Sequence, residues 1–250
     1  MKKTTIVATA FSLLFCVLLA AFKPTTSGNK KAADKSSQTR NNSSDTSTGI
    51  IRELYEKIGL ASKGLAFETF HRAFNGYKKL YSSGKINNNV LTIADMSQPS
   101  CYKRLYIIDM NACKLLINTL VAHGRNSGEA TAARFSNIPE SLQSSLGFYV
   151  TGGTYEGNNG YSMRLFGMEK GFNDQAENRA IVMHGAPYVN EDIAKKTGRI
   201  GRSWGCPAVS LKEHLQIINT IKNGSCLYLY APQKQYLAKS SLSNDDVYTL

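Results

Sequence analysis

IVMHGAPYVNEDIAKKTGRIGRSWGCPAVSL, residues 181–211, is the stretch around which the rest of the chain is read. It opens on an apolar, strand-like run that ends at His184-Gly185, and it closes on Ser203-Trp204-Gly205-Cys206-Pro207. Between them lie Lys195, Lys196, Arg199 and Arg202. A free thiol with a pKa near ~8.5 is mostly protonated at neutral pH, so a cysteine nucleophile needs a neighbouring base or cation. It also needs backbone N–H groups aimed at the developing oxyanion. Gly205 allows close backbone approach beside Cys206, and Pro207 stiffens the turn after it. One His and one Cys are by themselves weak evidence, because free cysteines are commonly buried and inert.

The order of the two motifs adds to this. His184-Gly185, a Gly- and Arg-rich loop and then Ser203-x-Gly205-Cys206 resemble the signature of the L,D-transpeptidase catalytic domain (YkuD-like), in which a His is followed after a spacer by Ser/Thr-His-Gly-Cys. HGAPYV with GRSWGCPAV looks like the murein branch of that family. The resemblance implies a mainly β sandwich or barrel with short appended helices, needing neither cofactor nor metal, that acts on peptidoglycan stem peptides. It implies Cys206 as nucleophile, His184 as its base, and Ser203 and Gly205 in the catalytic loop, with backbone N–H groups around Gly205-Cys206 as the oxyanion hole. Trp204 departs from the family His, and its indole cannot titrate; Ala208 departs where an Asn or Arg often follows. Recognition of a substrate carboxylate then falls to Arg199 or Arg202, whose planar fork suits bidentate contact. Trp204 is expected to wall the cleft, and His123 to stand in for the missing His. Ser144-Ser145-Leu146-Gly147-Phe148-Tyr149 resembles the family's cleft-lining Thr-Pro-x-Gly-x-Phe element, which puts Ser145 at the substrate.

The chain has 250 residues, 42% hydrophobic and 19% charged, enough for one ordinary core plus tails. Its formal charge of +12 suits an anionic wall polymer or lipid surface, and equally a protein with surplus surface lysine. No aromatic-interleaved basic motif is present, so nucleic acid is not expected as a partner. Cys16, Cys101, Cys113, Cys206 and Cys226 show no CxxC metal spacing. In an oxidising compartment Cys101–Cys113 is the first bridge to test.

Residues 1–22, with Lys2-Lys3 before an apolar run, read as a secretory signal, an uncleaved anchor being the alternative. Export to the periplasm or cell envelope follows. Residues 23–48 are a Ser-, Thr-, Asn- and Lys-rich linker. Residues 49–84 carry two helical patterns, the second with an aromatic stripe from Phe67 to Tyr81 suited to core packing. Residues 85–232 form the catalytic domain. Within it, strand patterns cover Val90–Asp95, Arg104–Asp109, Lys114–Val121, Phe148–Gly153, Tyr161–Gly167, Ala180–His184 and Cys226–Tyr230, and Ser210 with Glu213 spells a capping box for a helix over Leu211–Ile221. Residues 233–250 read as a polar, loosely ordered tail. The function expected is cysteine-dependent acyl transfer, with L,D-carboxypeptidase activity or a catalytically silent wall-binding module as alternatives.

Overall fold

The computed structural model describes residues 48–245, so the signal, the linker up to residue 47 and Cys16 lie outside the described residues. Helix α1 (48–58) and helix α2 (Phe67–Ser82) precede eight strands: β1 Val90–Asp95, β2 Leu105–Asp109, β3 Lys114–Thr119, β4 Gly147–Gly157, β5 Gly160–Gly167, β6 Val182–Ala186, β7 Ala208–Ser210 and β8 Cys226–Tyr230. Short helices α3 (Glu191–Thr197), α4 (His214–Ile221) and α5 (Lys234–Lys239) complete the chain. The strands form one mixed sheet in the order β3-β2-β1-β8-β4-β5-β6-β7. The fold is mainly β.

Every residue of β1 and of β8 is buried, the mark of strands covered on both faces. They pair parallel at the centre of the sheet, β8 running antiparallel to β4 on its other side. Phe148 stacks on Tyr228 with ring centroids 4.0 Å apart. Helix α2 lays its buried Phe70, Ala73, Tyr77 and Leu80 on this face, and Gly76 is there because any Cβ would sit 2.1 Å from the Phe148 ring. Thr151, of opposite parity to Phe148 in β4, hydrogen-bonds the Ile221 carbonyl at 2.6 Å, so α4 covers the other face. Buried Ile217, Ile218 and Ile221 pack α4 against β1, β5 and β6, strands far apart in the sheet order, and the sheet therefore curls around that helix.

The curl brings the two edges together. Directly after edge strand β3, Ala122 bridges Ala208 in edge strand β7, and Gly124 bridges Ser203. The edges that would otherwise expose unpaired backbone groups are thus partly closed on each other, giving one curled, barrel-like sheet.

Four expectations are corrected. Cys101 and Cys113 are free; they lie before and after β2, a five-residue strand about 17 Å long, beyond the ~7 Å Cα separation a disulfide spans. The helix after Cys206 starts at His214, and Ser210 Oγ meets Glu213 Oε2 at 2.9 Å without the reciprocal backbone bonds of a capping box. Residues 233–245 are packed: α5 buries Tyr236, whose hydroxyl donates to buried Glu169 at 2.9 Å. The sixth strand is displaced two residues, because Ala180 adopts φ 51° to end the preceding turn.

Candidate active site

Strand β6 carries His184, and the loop before β7 carries Cys206. The two strands are parallel with His184 opposite Ala208, which extrapolates to Cys206 opposite Val182. Cys206 lies in the bend that leads into β7, and its sulfur sits at the start of β6, against the Ala180 carbonyl and the Val182 N–H, two residues before His184. Cys206 is partly buried and His184 is buried.

The imidazole is set up as a base. His184 Nδ1 lies 2.9 Å from the Gly185 carbonyl, which can only accept, so Nδ1 carries the proton and Nε2 keeps its lone pair. Burial holds the ring below the usual histidine range, the Gly185 carbonyl pulling the other way. The thiol in this geometry donates to the Ala180 carbonyl at 3.7 Å, and no hydrogen bond joins it to His184. Burial pushes the Cys206 thiol up, against the pull of the Val182 backbone N–H and the Arg179 guanidinium.

Ser203 braces the loop. Its hydroxyl donates to the Cys206 carbonyl at 2.6 Å and accepts from Gly205 N at 3.1 Å. Ser203 N in turn bonds the His123 carbonyl, and Arg125 N the Ser203 carbonyl. Ser144, wholly buried, donates to the Gly205 carbonyl at 2.9 Å. Gly205 has φ +129°, and a Cβ there would meet Gln143 O and the Ile181 side chain at 2.9 Å, so only glycine fits. The Gly205 N–H is committed to Ser203, whereas the Cys206 N–H makes no hydrogen bond to another described residue. The uncommitted backbone donor of this loop is therefore the Cys206 N–H.

The remaining expected residues separate. Trp204 is 74% exposed, two residues before Cys206. His123 is wholly buried and does not reach the cleft; Arg104 Nη2 donates to its Nδ1 at 2.7 Å and its Nε2 faces the Gly128 carbonyl at 3.3 Å. Ser145 is buried as well, donating to the Ser136 carbonyl at 2.9 Å. Arg202 is held by Glu129 at 2.6 Å and by the carbonyls of Arg125 and Gly128, while Arg199 sits 3.6 Å from the same carboxylate. Arg202 makes these contacts through Nη1 alone, and Arg199 uses Nε and Nη1. Among the described residues no group of three or more His, Cys, Asp or Glu is placed to hold a metal ion.

Two residues at the site escaped the sequence reading. Arg179 lies near the end of the turn before β6 and exerts a charge on Cys206. Tyr188 packs against Gly201, and its phenol is pushed up to about 12 by burial and then by the Cys206 charge. Tyr188 was visible as the aromatic of HGAPYV, and Arg179 as the basic residue leading into the His184 strand.

No curated protein matches this chain. Among solved structures it is similar to an L,D-transpeptidase from Mycobacterium smegmatis (13% identity, TM-score 0.34, covering 57% of this chain and 59% of that one). It is similar to an L,D-transpeptidase from Mycobacterium tuberculosis H37Rv (14%, TM-score 0.34, 58% and 59%). It is also similar to the helical cell shape determining protein Pgp2 from Campylobacter jejuni (13%, TM-score 0.38, 64% and 57%). The matched region spans about three fifths of the length of each. Residues 61–230 match the family model described as the L,D-transpeptidase catalytic domain, and the chain belongs to that family.

Proposed function

We propose that this protein performs L,D-transpeptidase-like acyl transfer on peptidoglycan stem peptides through a thioester on Cys206. The observation that carries the reading is the His184 tautomer: Nδ1–H is tied to the Gly185 carbonyl, leaving a basic Nε2 on the strand next to the nucleophile. The transfer requires the Cys206 side chain to turn from the Ala180 carbonyl toward that nitrogen. The sulfur attacks a carbonyl of the donor stem, His184 takes the thiol proton and delivers it to the leaving amine, and the thioester remains. An acceptor amine then attacks the thioester; its proton passes through His184 to the departing sulfur. The Cys206 N–H faces the oxyanion in both steps. A stem amine as acceptor gives a cross-link, a protein amine gives anchoring, and water gives L,D-carboxypeptidase activity. The substrate lies outside the cytoplasm, and the basic-then-apolar start of the chain supports export.

A catalytically silent wall-binding module is the second reading, favoured by the thiol's bond to Ala180 and by the exposed Trp204 in place of a titratable His. Mass spectrometry of muropeptides incubated with wild type and Cys206→Ala separates them. Thiol-dependent products are expected; turnover by Cys206→Ala, or no turnover by wild type, overturns the enzyme reading.

A further inference from the structure

Arg179 is a half-buried cation with no anionic partner. Its Nη1 donates to the Ser136 carbonyl at 2.6 Å and to Ser145 Oγ. Its Nη2 donates to the Gln143 carbonyl at 2.7 Å and to Ser141 Oγ at 3.1 Å. All four acceptors are neutral, its Nε is buried without a partner, and among the described residues no carboxylate pairs with it. A buried guanidinium held only by neutral oxygens keeps an uncompensated charge, which a low-dielectric setting makes costly. The same geometry points it at the catalytic loop: a Cβ on Gly205 would lie 3.4 Å from Nη2, and the Gln143 carbonyl that Nη2 grips is the atom that crowds Gly205.

We propose that Arg179 is the fixed counter-cation of the Cys206 sulfur, stabilising it as a thiolate when it attacks and when it leaves. This rests on the acyl-transfer reading and divides its labour. His184, buried and neutral, moves the proton, and Arg179 holds the charge. The ionisable groups that act on Arg179 are Tyr149 and Cys206, and burial pushes the Tyr149 phenol up so that it stays neutral. Besides Arg179, Tyr188 is the ionisable side chain that feels the Cys206 charge, and burial pushes its phenol up so that it is uncharged at neutral pH. Among the described residues the sulfur is thus the one anion this guanidinium meets. Arg179 is a positioning residue: it acts through the nucleophile and does not replace it.

The test reads the thiol rather than turnover. Iodoacetamide alkylation of Cys206, quantified on its own peptide by mass spectrometry, is followed against pH in the full chain, with circular dichroism confirming the fold. Arg179→Gln is expected to slow alkylation about tenfold at pH 7 and to move the titration midpoint to higher pH. Arg179→Lys, which keeps the charge, is expected to retain most of the rate. Ser141→Asp leaves the arginine in place but offers it a rival carboxylate, and it too is expected to raise the midpoint, which keeps the test open should Arg179→Gln not fold. Unchanged midpoints in a folded Arg179→Gln or Ser141→Asp protein overturn the proposal while leaving Cys206 free to be the nucleophile. Failure of the acyl-transfer reading shows separately, as muropeptide turnover by Cys206→Ala.

Discussion

At the residue scale, the site pairs an imidazole kept neutral with a thiol kept protonated, and both states follow from burial. That arrangement sets the direction of the pH profile. The base must be neutral to accept the thiol proton, and burial disfavours its charged form, so the neutral ring persists below the ordinary histidine value of about 6.5. The acid limb of kcat/KM for muropeptide turnover is therefore expected below pH 6.5; a limb at or above that value would mean that burial does not hold this ring below the ordinary histidine value. Much of this site was legible in the sequence, because His184-Gly185 and Ser203-x-Gly205-Cys206 are local signatures whose backbone demands are written in their own residues. What was not legible was the fate of polar groups whose partners lie far along the chain. Arg202 pairs with Glu129 and Ser145 donates to the Ser136 carbonyl, and no spacing rule reveals such pairings. Arg179 was missed for the converse reason: its significance is the absence of a carboxylate, which only the fold displays.

At the element scale, two helices are fixed by contacts of different kinds. Helix α2 was legible from its aromatic stripe, and its central Gly76 is explained by the Phe148 ring lying where a side chain would go. Gly76→Ala gains helix propensity of at most about 1 kcal/mol, yet it must displace that ring, and overpacking of this kind costs about 1–3 kcal/mol. A net loss of stability in urea titration is expected; a stabilised variant would show that the ring yields freely. Helix α5 was not legible, because a polar six-residue segment is held mainly by Tyr236 and Ser240 reaching Glu169, some 70 positions away. Glu169 also accepts the Phe148 N–H at 2.8 Å. Burial pushes its carboxyl up, so the folded state binds the proton more tightly than the unfolded chain. Stability from this group is then full below the ordinary value of about 4.3 and declines as pH rises through the raised one. Relative to Glu169→Gln, wild type is expected to lose stability from pH 4 upward, measured as the difference between the two urea midpoints. A difference that stays level, or that grows in favour of wild type, would mean the carboxyl is ionised at little cost where it sits.

At the scale of the whole molecule, the catalytic loop is part of the seam where the sheet curls back on itself. Local patterns gave most strands but not their order: β8, last in sequence, lies between β1 and β4, and the edges meet through Ala122–Ala208 and Gly124–Ser203. Non-local pairing of this kind leaves no trace in periodicity. The same seam explains His123, which supports the site from beneath rather than lining it: its carbonyl holds Ser203 N, and its ring is clamped by Arg104. Arg104 is itself wholly buried, its guanidinium spread over the Val121 and Gln98 carbonyls and His123 Nδ1. Because the guanidinium only donates, Nδ1 must stay unprotonated. Burial, and then the facing arginine, lower the His123 pKa to about 4. The folded state thus binds fewer protons than the unfolded chain between about 6.5 and 4. The stability linked to this ring is complete above the unfolded value, amounts to about 3 kcal/mol, and is lost as pH falls through the folded one. His123→Gln offers Arg104 a carbonyl acceptor that does not titrate. Its stability is expected to fall less than that of wild type between pH 7 and pH 4, by about 3 kcal/mol in urea unfolding. Parallel curves for the two proteins would mean that the seam tolerates a second buried cation, and that the link between acid and the Ser203 brace is not there.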